Sequence, residues 1–305
     1  MRIALIGQAA FGADVLKGLI EQNHEVAGVF CPPDRSKKPE PVKEAAMAAE
    51  IPVFQPERMK EPKVYEQMVK LSPDLAVLAF VTDIVPGNVL KVPKQGAICY
   101  HPSILPKYRG ASAINWAVIN GESKSGLTIF WVDEGIDTGD ILLQKEIEIG
   151  PNETTGEVYF KKLYPLGVKA VLEVVDLISK GQALRIPQDH SKATYQPPCN
   201  EKVAFLNWDK PGRRVFDFIR GTDPQPGAIS TFRGEKVNLY NAEFLDESRN
   251  VKPGEILEVT DMGLKVAVYD GTLLITRFRT KDLGKVKASE FVQAKNPQPG
   301  ECFGA

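Results

Sequence analysis

RIALIGQAAFGADVLKGLIEQNHEVAGVF, residues 2–30, is the stretch from which the fold is read. An apolar run (Ile3-Ala4-Leu5-Ile6) meets Gly7, a helix-like segment continues to Gln22, and a second apolar run follows at 25–30. Strand, glycine turn, helix and strand in that order open a doubly wound parallel sheet. A dinucleotide fingerprint would need G-x-G-x-x-G and an acidic residue closing the second strand. Only Gly7 and Gly12 are present and no acid ends that strand, so a nicotinamide site is disfavoured.

Working outward, 42–50 and 62–71 read as helices, the second with Pro62 in its first turn, where a missing N–H costs nothing. Residues 51–54 supply a third strand. Asp74-Leu75-Ala76-Val77-Leu78-Ala79-Phe80 is almost continuously apolar, as expected of a strand buried on both faces. Asp83-Ile84-Val85-Pro86 follows at its carboxyl end, the side on which open α/β sheets bind ligands. Backbone groups of 83–85 could hold a flat heterocycle there under Phe80, Ile84 and Val85; alternatively, Ile84 and Val85 pack the core.

The chemistry concentrates in 96–140, GAICYHPSILPKYRGASAINWAVINGESKSGLTIFWVDEGIDTGD. His101 ends the apolar run Ala97-Ile98-Cys99-Tyr100, and Pro102 pushes it into extended backbone. A β-rich run at 127–132 leads to the turn Gly135-Ile136-Asp137-Thr138-Gly139-Asp140. An imidazole and a carboxylate at neighbouring strand ends can share a proton transfer. Taken alone, a histidine near a strand end is more often a satisfied structural residue than a catalyst, and a turn rich in Asp and Gly is usually only a turn.

Composition narrows the class. With 305 residues, 43% hydrophobic and 25% charged, the chain suits two globular domains. A formal charge of −1 gives no basic footprint for nucleic acid. Four scattered cysteines (31, 99, 199, 302) show no zinc or redox spacing and read as free thiols of a reducing compartment. The N-terminus has no signal-peptide pattern and no run is long enough to span a membrane, so a cytoplasmic protein is expected.

Residues 152–181 read as helix, capped by Thr154 or Thr155, and 188–200 as a polar linker in which His190 and Cys199 are bystanders. Strand-like runs at 228–232, 236–243, 254–260, 263–268 and 272–278 predict a small open β-barrel. Aromatic and basic interleaving is thin in these runs, which favours a supporting role over oligonucleotide binding.

His101-Pro102-Ser103-Ile104-Leu105-Pro106, Arg109-Gly110-Ala111 and 135–140 together resemble the signature of enzymes that use 10-formyltetrahydrofolate. The resemblance extends more weakly over nearly the whole chain. It implies an α/β fold: a Rossmann-like, doubly wound, mainly parallel sheet over 1–200 with a C-terminal OB-like β-barrel over 203–305. It implies 10-formyltetrahydrofolate as substrate, tetrahydrofolate as product and no metal. His101 would stabilise the oxyanion and protonate the leaving nitrogen. Asp137 would take a proton from the attacking group, Ser103 would anchor the His101 loop, and Phe80, Asp83, Ile84 and Val85 would contact the pterin. Family transferases carry an asparagine two residues before the histidine, and this chain has Cys99, a weak donor that could alternatively serve as a catalytic nucleophile. The hydrolase domain of 10-formyltetrahydrofolate dehydrogenase also lacks that asparagine, and it shares Arg109-Gly110-Ala111-Ser112-Ala113-Ile114-Asn115-Trp116. The expected function is therefore 10-formyltetrahydrofolate hydrolysis, with a carrier or dehydrogenase domain as partner in a longer protein. The alternative is formyl transfer to an amine on methionyl-tRNA or an amino sugar. The loop Asp34-Arg35-Ser36-Lys37-Lys38 lies where tRNA-acting relatives have a basic loop, and its shortness argues against tRNA. Arg109 and Ser112 are expected to be structural, Ser112 as a helix N-cap.

Overall fold

The computed structural model describes residues 1–35, 38–247 and 251–304. The chain forms two compact units, one of residues 1–110, 126–147 and 161–195, the other of 111–125, 148–160 and 196–305. Residues 111–125, 148–160 and 196–200 thus group with the second unit.

The first unit is built on a seven-stranded sheet of β1 (Arg2–Gly7), β2 (Glu25–Phe30), β3 (Val53–Phe54), β4 (Leu75–Ala79), β5 (Ala97–His101), β6 (Lys124–Trp131) and β7 (Ile141–Glu148). Their order is β3-β2-β1-β4-β5-β6-β7. The first five pair in parallel, and β6 runs antiparallel to β5. This is the doubly wound, mainly parallel sheet that residues 2–30 predict. Every residue of β4 is buried, as its unbroken apolar sequence requires. Gly7 is a glycine for steric reasons, since a Cβ there would lie 2.8 Å from the carbonyl oxygen of Ala79. β7 was missed, although Ile141-Leu142 and Ile147 bracket a polar middle that fits a half-exposed strand.

The second unit carries an antiparallel sheet of β8 (Ala228–Phe232), β9 (Glu235–Leu245), β10 (Ile256–Val259), β11 (Leu264–Val268), β12 (Gly271–Thr280) and β13 (Gly284–Lys287). The order is β10-β11-β12-β9-β8, with β13 also on β12. The C-terminal segment links its two edges: Phe303 N–H donates to the Gly254 carbonyl at 2.8 Å, and Gly304 N–H to the Thr231 carbonyl at 2.9 Å. Phe303 thereby joins Trp208, Phe232, Phe278 and Phe291 in one buried core. Edge closure of this kind removes unpaired strand edges and gives the expected small barrel its form.

The capping expectations divide. Thr154 caps the helix Thr155–Val158 in a reciprocal box with Glu157. Ser112 precedes the helix Ala113–Ile119 but does not cap it, because its hydroxyl accepts instead from the Cys199 N–H at 3.0 Å. Among the described residues, no helix is long and apolar enough to cross a membrane.

Candidate active site

His101 is the last residue of β5 and is 6% exposed. Its Nε2–H donates to the Tyr108 carbonyl at 2.8 Å. A carbonyl can only accept, so Nε2 keeps its proton whatever the charge of the ring. The other nitrogen, Nδ1, faces Asp137 Oδ2 at 3.5 Å. That oxygen also accepts the Gly110 N–H at 2.7 Å, whereas Oδ1 makes no hydrogen bond among the described residues.

The loop between Ser103 and Gly110 is therefore the frame of the pair. Ser103 is fully buried, and its hydroxyl donates to the Lys107 carbonyl at 2.7 Å. Thr128, opposite His101 on β6, donates to the Ser103 carbonyl and accepts the Leu105 N–H. The proton of the Ser103 hydroxyl is thus used in holding the loop. Further along, the Tyr108 N–H donates to Thr194 Oγ1 and the Arg109 N–H to the Thr194 carbonyl. Successive N–H groups at 108, 109 and 110 thus tie one loop to Thr194 and to Asp137.

Asp137 does not come from a strand end beside His101. In the antiparallel register Trp131 lies opposite Ile98 and Thr128 opposite His101, so β6 runs away from the histidine. The turn 133–139 carries the carboxylate back. Asp133 Oδ1 clamps it by accepting the Gly135 N–H at 3.0 Å and the Thr138 hydroxyl at 2.6 Å. Gly139 passes so close to β6 that a Cβ would fall 1.7 Å from the Trp131 carbonyl oxygen. Asp137 itself adopts φ +55°, a left-handed conformation that aspartate tolerates better than most residues.

The far side of this turn is held by a residue read from sequence as linker. Gln188 is 5% exposed, and its Nε2 donates to the carbonyls of Asp137 at 3.0 Å and Gly139 at 2.7 Å. Its Oε1 accepts from Arg109 Nε at 3.2 Å and Nη2 at 2.6 Å. Arg109 is 2% exposed and also donates to the Tyr195 hydroxyl and His190 Nδ1, so its guanidinium is structural and closed to a substrate carboxylate. His190 is thereby no bystander, although its side chain is exposed. No periodicity marks 188–195, since these contacts bridge roughly 50 to 90 positions of sequence.

Cys99 packs at the edge of the apolar cluster containing Val85 and Leu78. Burial raises its thiol pKa, and the negative charge of Asp137 raises it further. Both effects keep the sulfur protonated, which disfavours a thiolate nucleophile. The proposed ring-binding residues fare differently. Val85 is buried in the same cluster, whereas Ile84 is 74% exposed beside it. Asp83 is engaged by both oxygens, with Arg58 at 3.1 Å and with the Met59 N–H at 2.8 Å. Phe80 has φ +62° and, with Asp83, lines a cavity of about 300 Å3 beyond the carboxyl ends of β1, β2 and β4. His101 and Asp137 are not among the residues lining that cavity. Of the shortened basic loop, Ser36 and Lys37 lie outside the described residues. Asp34, at its start, accepts the Glu40 N–H at 2.9 Å and pairs with Lys43.

The second unit holds a feature that the linear sequence conceals. Arg277 lies directly opposite Lys287, and Arg279 directly opposite Lys285, across the β12–β13 ladder. All four are exposed, and by strand alternation they share one face. Like charges facing each other destabilise a sheet. Lys285 has Asp223 at 3.4 Å, but Arg277 and Lys287 have no ion-pair partner among the described residues.

Comparison with known proteins identifies the family. Residues 1–175 match the formyl transferase family model, and residues 200–296 match the model of the formyl transferase C-terminal domain. A methionyl-tRNA formyltransferase of Acetivibrio thermocellus is 39% identical over 311 residues, covering all of both chains. The cytosolic 10-formyltetrahydrofolate dehydrogenase of Xenopus tropicalis is 39% identical over 306 residues, 95% of this chain but 34% of its own length. The chain thus spans about a third of the dehydrogenases that it matches. Among solved structures, HypX from Aquifex aeolicus in complex with tetrahydrofolic acid superposes with a TM-score of 0.71 at 22% identity, over 96% of this chain and 47% of that one.

Proposed function

Because this chain belongs to the formyl transferase family, we propose that it removes the formyl group from N10 of 10-formyltetrahydrofolate, with water as acceptor. The observation that carries the reading is the pair of His101 Nδ1 and Asp137 Oδ2 at 3.5 Å, with the ring fixed from behind by Tyr108. Asp137 Oδ1 takes a proton from water as its oxygen attacks the formyl carbon. Charged His101 donates from Nδ1 to the developing oxyanion and then gives that proton to N10 as the C–N bond breaks. Tetrahydrofolate and formate leave.

The pterin lies against the carboxyl end of β4. There Phe80 and exposed Ile84 cover it, and the backbone of 83–85 meets its polar edge while Val85 is held in the core. Asp83 contributes backbone only, because its carboxylate is already engaged. No metal is called for. Water is favoured over an amine by Cys99, a weak hydrogen-bond donor where the transferases have an amide. A carrier or dehydrogenase domain belongs with this reading, as does a cytoplasmic setting.

A second reading, transfer to the amine of methionyl-tRNA, is favoured by the unpartnered cations Arg277 and Lys287 and by the end-to-end match to a methionyl-tRNA formyltransferase. An amino sugar would be the acceptor of a third kind. Incubation with 10-formyltetrahydrofolate and no acceptor separates them. Tetrahydrofolate and formate are expected; turnover only after methionyl-tRNA or an amino sugar is added would mean a transferase. Binding without turnover would mean a folate-binding module.

A further inference from the structure

We propose that Gln188 is the positioning residue of the reaction, acting through Asp137; this rests on the reading above. Among the described residues, Gln188 hydrogen-bonds the Asp137 backbone carbonyl with its side chain from outside the turn. Its amide donates to the carbonyls on either side of Thr138, at 3.0 Å from Asp137 and 2.7 Å from Gly139. These bonds hold the left-handed backbone at Asp137 and so aim Oδ2 at His101 Nδ1 and at the Gly110 N–H.

Arg109 determines which way the amide faces. Its Nε and Nη2 can only donate, and they meet Gln188 Oε1. A flipped amide would set N–H against N–H on one side and oxygen against two carbonyls on the other. The guanidinium is buried, and its hydrogen-bond partners are all side chains without negative charge: Gln188, His190 and Tyr195. An arginine desolvated without a carboxylate is costly, and the fold accepts it where it fixes one amide. The same arginine's backbone N–H is tied to Thr194, so the 108–110 loop and the 133–139 turn are referenced to one segment. A shift of about 1 Å in a catalytic group can cost about a hundredfold in rate. Gln188 is placed to prevent a shift of that kind.

Gln188→Leu removes both donors, and Gln188→Glu keeps the contact with Arg109 while setting oxygen against the two carbonyls. Each should lower kcat about a hundredfold with KM for 10-formyltetrahydrofolate changed less than about threefold. In an Asp137→Ala background neither should cost anything further, because the residue that Gln188 positions is gone. Hydrogen exchange at the Gly110 amide, which donates to Asp137 Oδ2, should accelerate in both variants whether or not turnover is measured. If Gln188→Leu does not fold, Gln188→Glu carries the test alone. Wild-type kcat in the variants, or losses that add fully to that of Asp137→Ala, would overturn the role. Should the wild-type protein leave 10-formyltetrahydrofolate untouched, the functional reading fails; unchanged Gly110 exchange would then overturn the positioning role separately.

Discussion

Replacing Asp137 with asparagine isolates charge from shape. The side chain keeps an oxygen to accept the Gly110 N–H, now 2.7 Å from Oδ2, so the 108–110 loop stays tied to the turn. What disappears is the proton acceptor and the negative charge 3.5 Å from His101 Nδ1. Full charges at that separation attract by about 5 kcal/mol at an effective dielectric of 20 and about 1 kcal/mol in bulk water. Both side chains are largely buried, so the larger figure is the nearer one. Loss of a general base alone typically costs about 10²- to 10⁴-fold. The two contributions overlap because one carboxylate supplies both. We expect kcat for tetrahydrofolate formation to fall about 10³-fold, KM to change less than about threefold, and Tm to move by less than about 3 °C. Single-turnover measurement of tetrahydrofolate separates this from slow product release. A variant with wild-type kcat and normal melting would refute the assignment of Asp137, whatever its distance from the imidazole.

Other outcomes follow from the same geometry. Cys99→Val should keep kcat within about fivefold, since burial and Asp137 hold the thiol protonated; loss of all turnover would make the sulfur a participant. Ser103→Ala leaves the Lys107 carbonyl without its partner and should cost about 1–3 kcal/mol in denaturant unfolding, with a smaller effect on KM than on kcat. Burial raises Cys31 from 9.0 to about 12 and Cys199 to about 11. Their neutral forms are therefore favoured by folding, a contribution fully present below pH 9 and lost as pH rises toward 11–12. Urea midpoints should accordingly fall across that range, and at pH 8 iodoacetamide should label both residues more slowly than in the unfolded chain. If methionyl-tRNA is the acceptor, Arg277→Glu with Lys287→Glu should weaken tRNA binding in a salt-dependent way while leaving formyl release to water unchanged.

The parallel half of the fold was legible because its strands announce themselves locally: the apolar runs at 3–6, 26–30 and 75–79 need burial on both faces, and the helices 9–21 and 62–71 between them bury one side. His101 and Asp137 stand out in sequence through the joined motifs at 101–106, 109–111 and 135–140, and the fold brings them to 3.5 Å. What stayed hidden depends on register and long loops. β7 carries a polar middle that breaks the apolar signal. Gln188 lies in a proline-rich, aperiodic segment and gains its meaning only from carbonyls some 50 positions away. Arg277 and Lys287 are ordinary surface residues until the ladder sets them face to face. Ser112 had the right identity and place for a cap, but the Cys199 N–H, 87 positions on, claims its hydroxyl. Ile84 and Val85 are adjacent and apolar, so only the fold could assign one to the surface and the other to the core.

The account turns on where the formyl carbon sits. Co-crystallisation with an analogue of 10-formyltetrahydrofolate whose N10–formyl bond resists cleavage tests this most directly. The carbonyl oxygen should lie within hydrogen-bonding distance of His101 Nδ1, with the carbon approachable from Asp137 Oδ1 and the pterin against Phe80 and Ile84. An analogue bound with its formyl group away from both residues would contradict the central claim.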